Sequence, residues 1–150
     1  MYVHRHDAND ALAIWVFQNS TPEEWDEHFA HLRDVATWSN KTGRRGATML
    51  VARDFSRPDS KRRAELARLT EAMGYDPYVA FVSPSAALRT VLTMFGWVQK
   101  APRYEMDFFG SSDAALRWLE KKRGASLSKL QAMLTDIRTE YKKATGGELP

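Results

Sequence analysis

Residues 11–17 read ALAIWVF, seven apolar side chains in a row without a polar break. A strand with one wet face alternates apolar and polar residues, because successive side chains point to opposite sides of the sheet. An unbroken run this short therefore predicts a strand covered on both faces, lying inside a sheet. Residues 78–82, YVAFV, are a further run of this kind, and residues 47–52, ATMLVA, read as the strand between the two. The segments between them carry helical periodicity. Helices between successive strands imply crossover connections and a mostly parallel sheet.

The flanking signals give the order of elements. Residues 2–7 and 11–17 are joined by Ala8, Asn9 and Asp10, and Asn and Asp tolerate turn dihedrals, so an antiparallel hairpin is predicted. Thr21, Pro22 and Glu24 supply an N-cap, a first-turn proline and a capping box, after which Trp25, Phe29, Leu32 and Ala36 form one apolar stripe. Residues 40–46, NKTGRRG, end that helix. Asp59 is the N-cap of a helix carrying Ala64, Leu66, Ala67, Leu69 and Met73, stopped by Gly74. Ser83 and Pro84 open another, with Leu88, Val91, Leu92 and Phe95 as its stripe before Gly96. Residues 104–109 are the last strand, and Ser111 or Ser112 caps a helix through Ala115, Leu116, Trp118 and Leu119 to Gly124. The expected fold is α/β, with a mixed, mostly parallel sheet of about five strands in the order β-β-α-β-α-β-α-β-α plus a C-terminal helix.

No Pro/Gly/Ser-rich linker divides the 150 residues, so residues 1–123 are read as one domain and 124–150 as a helical extension. In the extension, Leu127, Leu130, Leu134, Ile137 and Tyr141 form a seam of roughly two heptads. It either packs on its own domain or serves as an oligomer seam, which keeps a homodimer open. Residues 146–150 are expected to fray. Residues 117–150 hold eight Lys/Arg against four Asp/Glu, so the basic character belongs to the tail. A solvated helix face accounts for it, with nucleic acid, anionic lipid or an acidic partner as alternatives. Zero cysteines exclude disulfides and thiolate chemistry. The polar start, MYVHRHDAND, and the absence of any bilayer-length apolar run predict no transmembrane segment and a cytoplasmic address.

Three stretches carry a resemblance to a known family. Residues 79–85, VAFVSPS, run into 88–97, LRTVLTMFGW; residues 108–119 read FFGSSDAALRWL; and residues 50–54, LVARD, are followed by Asp59 and Ser60. Over residues 1–123 the chain resembles the STAS superfamily, which includes the anti-sigma-factor antagonists and a looser group of STAS-like bacterial proteins. The resemblance implies a regulatory module that works through protein contacts in bacterial signalling, without enzymatic activity or cofactor. Its alternative is a carrier of a small ligand or lipid, since the looser group also resembles lipid-binding domains. In antagonists the phosphorylated hydroxyl follows an Asp-Ser pair and precedes a glycine, whereas Lys61 and Arg62 occupy those places here. The resemblance thus supports the fold and removes the expected switch. Ser60 reads as the first helical residue behind Asp59, with a phospho-acceptor role as the alternative.

The residues themselves suggest a contact or anion-binding surface at Asp54, Ser56, Asp59, Ser60, Lys61, Arg62 and Arg63. Three cations in the first turn of a helix oppose its dipole at roughly 0.3 to 1 kcal/mol each. Free amides plus cations suit an anion, unless Asp59 and Glu65 neutralise them locally. No catalytic motif is found: G-x-S-x-G, P-loop and G-x-G-x-x-G are all absent. His4 and His6 share a side of a strand, and His28 and His31 a side of a helix. Without cysteine, HExxH or a third ligand in view, they read as surface or packed histidines, and no metal is expected. The aromatics fall on apolar stripes and strands, so they read as core, and no nucleic acid is expected.

Overall fold

The computed structural model describes residues 1–54, 59–72, 74, 76–86 and 105–150. Five strands form one sheet in the order β1 (Tyr2–Asp7), β2 (Leu12–Gln18), β3 (Ala47–Asp54), β4 (Tyr78–Val82) and β5 (Glu105–Phe109). β1 pairs antiparallel with β2, and every later pairing is parallel. The described helices are α1 (Pro22–Thr42), α2 (Ser60–Ala72), α3 (Ser112–Arg123) and α4 (Ser128–Thr145). The helix expected after Ser83 and the loop at residues 55–58 lie outside the described residues, as do Met73 and Tyr104.

The uniform apolarity of β2 has the predicted cause. Leu12, Ile14 and Val16 join a cluster with Leu119, Leu130, Leu134, Ile137 and Tyr141 from α3 and α4. Ala13, Trp15 and Phe17 join another with Trp25, Phe29, Leu32 and Val35 of α1 and Leu69 of α2. The sheet is therefore the middle of three layers. The capping box is formed as expected: Thr21 Oγ1 accepts from the Glu24 amide at 3.3 Å, and the Thr21 amide donates to Glu24 Oε2 at 2.9 Å. Gly43, at φ 66°, closes α1.

One expectation for the tail is met and one is corrected. Of the two readings of the seam, packing on its own domain is the one formed: Leu127, Leu130, Leu134, Ile137 and Tyr141 are all buried against the chain's own sheet. The cause is that β2, β3 and β4 present an apolar face there which α3 alone does not cover. Residues 146–150 do not fray. Leu149 is buried in the same cluster, and the Ser112 amide donates to the Pro150 carbonyl at 3.0 Å. That bond satisfies one of the orphan donors at the start of α3. No described helix is long and apolar enough to cross a membrane.

Candidate functional site

The surface expected from sequence assembles around the start of α2. Asp54 ends β3, where a register shift after Phe17 pairs it with Gln18, while its side chain and Ser56 lie outside the described residues. Asp59 caps α2: its Oδ1 accepts from the Arg62 amide at 2.8 Å. The Arg62 guanidinium donates to Asp59 Oδ2 at 2.8 Å and to Asp26 Oδ2 of α1 at 3.3 Å. These bonds hold the Asp59 carboxyl below the usual carboxylate range. Arg62 is thus spent in tying α2 to α1, which subtracts it from any anion site. Arg33 pairs with Glu65 at 3.8 Å across the same helix pair. Ser60 and Lys61 stay exposed, with Arg63 half-buried. Beside them lies an open hollow of about 330 Å³ lined by Asp26, Phe29, Arg33, Lys61, Arg62 and Glu65.

A second site is built on another face of the same half of α1, and all four histidines of the chain meet there. On β1 the strand alternation sends Val3 into the cluster shared with α4, while Tyr2, His4 and His6 face α1. Helical spacing places Glu27, His28 and His31 on the turns of α1 that cross them. Ring centroids lie 4.7 Å apart for His4 and His6, 4.0 Å for His4 and His31, and 4.6 Å for His6 and His31. One ligating nitrogen from each of His4, His6 and His31 falls within 4.8 Å of the others. Glu27 Oε1 stands 3.2 Å from His4 Nε2 and 4.0 Å from His31 Nε2. Trp38 packs against His6 with centroids 5.4 Å apart.

Polar contacts fix the rings. Tyr2 Oη lies 2.9 Å from His31 Nδ1 and 3.2 Å from His28 Nδ1. With one proton to give, the hydroxyl donates to one ring and accepts from the other. His28 is buried between Trp15, Phe17 and Trp25, all of which meet it edge-on. His6 Nε2 is shut off from solvent and has no hydrogen-bond partner among the described residues. Burial, reinforced by repulsion among the rings, pushes His28 down to about 3 and His6 down to about 4, and it lowers His31 as well. Burial and the nearby Glu27 and Glu24 raise the Tyr2 phenol. At neutral pH the phenol and the His6, His28 and His31 rings are neutral, and the Glu27 side chain adds oxygen donors beside them. Such a set of nitrogen and oxygen donors has the chemistry to hold a borderline transition metal ion.

The parts of this site are written in the sequence and the whole is not. The spacing pairs His4 with His6 and His28 with His31, but a third ligand is invisible there because which turn of α1 lies over β1 is a tertiary fact. The visible signal was the Tyr2, His4, His6 alternation facing a helix with Glu27 and His31 four apart.

Fold and site together define a three-layer α/β domain carrying a histidine-rich cluster between its edge strand and first helix. Compared with known proteins, the chain matches no family model, no curated protein and no solved structure.

Proposed function

We propose that the chain is a STAS-like, non-enzymatic interaction module that docks a protein partner, in a signalling role, where α2 begins. The observation that carries this reading is the use made of Arg62. Its bonds to Asp59 and Asp26 fasten the first turn of α2 to α1, so Ser60 and Lys61 stand on a fixed platform beside the hollow. A preformed charged turn loses little freedom when a partner binds. The opening hairpin followed by parallel strands supports the family side of the reading. The carrier alternative requires an apolar cavity beside the sheet. On the described faces that space is filled by Leu134, Ile137 and Tyr141 on one side and by Trp15, Phe17 and Phe29 on the other, so no observation favours it.

The test is affinity capture from the source cells with the wild-type chain and with the double variant Lys61→Glu, Arg63→Glu as baits. Both lie at the start of α2, and neither is part of the Arg62 network, so the variant should melt like wild type while losing the partner. Equal recovery by both baits would overturn the surface.

A further inference from the structure

We propose that His4, His6 and His31, completed by Glu27, form a binding site for a divalent transition metal ion of the zinc class. The three imidazoles come from two rigid elements, and their ligating nitrogens already lie within 4.8 Å of one another. Tetrahedral zinc with bonds of about 2.0 to 2.1 Å to nitrogen needs its ligands about 3.3 Å apart. Binding then draws the nitrogens together by up to about 1.5 Å.

Further observations point to an ion in preference to a stack of packed rings. His6 Nε2 is buried with no partner among the described residues, and an orphaned buried polar atom is costly unless something occupies it. Tyr2 orients His31 from behind. If His31 Nδ1–H donates to Tyr2 Oη and the hydroxyl donates to His28 Nδ1, the His31 Nε2 lone pair is left for the ion. A partner on the distal ring nitrogen is the usual support of a metal-bound histidine. Glu27 Oε1 lies beside His4 Nε2 and His31 Nε2, at the exposed edge of the three-histidine group, where turning inward would complete the shell and offset half the ion's charge. Imidazoles with one carboxylate suit zinc, nickel or copper, whereas calcium and magnesium need oxygen shells. The Glu27 side chain is 50% exposed and that of His4 34%, so an ion has a way in from solvent.

The chain offers a clean background, because it contains no cysteine and all its histidines lie in this cluster. Tag-free protein, stripped with a chelator, is titrated with zinc chloride by calorimetry near pH 7.5. One ion per chain is expected, together with a rise in melting temperature, since the ion bridges β1 and α1. Tyr2→Phe should weaken binding about 10-fold, as loss of an outer-shell partner does, while His4→Gln and His31→Gln should weaken it more. Absence of stoichiometric binding by the wild type, or undiminished binding by folded His4→Gln and His31→Gln, overturns the proposal. Wild-type protein loaded with cobalt provides a measurement that depends on no variant. Its visible absorption should take the intense tetrahedral form and bleach reversibly on acidification; a weak octahedral spectrum overturns the site.

Discussion

Tyr2 joins two histidines through one hydroxyl. Its ring packs on Phe17 with centroids 4.9 Å apart, so Tyr2→Phe keeps the packing and deletes only the hydrogen bonds to His28 and His31. Leaving those ring nitrogens without their partner should cost about 1 to 3 kcal/mol in urea denaturation. A change within error of zero would contradict the contact. The buried rings also set a pH dependence. Folded-state values of about 3 for His28 and about 4 for His6 lie below the unfolded value of roughly 6.5. The unfolded chain then binds more protons in that interval, so stability is full above about pH 6.5 and is lost as pH falls toward the folded values. For the fully buried His28 the slope is about 1.4 kcal/mol per pH unit between roughly pH 6 and pH 4. The denaturation midpoint should therefore be lower at pH 5 than at pH 7, and His28→Gln should flatten the difference. Equal wild-type midpoints would refute the burial argument.

Among the elements, α1 serves both sites: Asp26 holds Arg62 of α2, while Glu27, His28 and His31 meet β1. Its ends were legible in sequence because caps are local chemistry. Thr21→Ala removes the capping-box acceptor and should lower stability by about 1 kcal/mol in thermal denaturation. A Cβ at Gly43 would touch nothing within 4 Å, so Gly43→Ala isolates the cost of a left-handed backbone, about 1 to 2 kcal/mol. The apolar stripe through Trp25, Phe29, Leu32 and Ala36 was equally legible, since period 3.6 is written in the chain. The histidine site was not. Its parity on β1 and its spacing on α1 are local, but their juxtaposition depends on how the helix crosses the sheet. The network at Asp59, Arg62 and Asp26 shows the same division: Asp59 was readable as a cap, and Asp26 on another helix was not.

At the scale of the molecule, α4 completes the layer that α3 begins. Leu130, Leu134 and Ile137 fill the face of the sheet, and the buried Tyr141 donates to Gln18 Oε1 at 2.9 Å. Sequence periodicity marked these residues as a seam but carried no information on whether the seam's partner was the same chain. Removing residues 124–150 should therefore abolish cooperative unfolding and expose dye-binding apolar surface; a truncated chain that still melts cooperatively would contradict this packing. The hairpin and the parallel order were legible because apolar runs and turn residues encode them directly. The docked tail was not, because Leu149 is a single apolar residue and its site exists only once α3 and α4 are in place. The four histidines thus form one cluster of defined roles, three of them facing an ion and His28 held behind them. Long-range proton–nitrogen correlation spectra of the imidazoles, recorded with and without one equivalent of zinc, separate the two groups. His4, His6 and His31 are predicted to shift to metal-bound nitrogen frequencies while His28 keeps its metal-free pattern. Four rings that all stay unshifted would refute the cluster's division of roles.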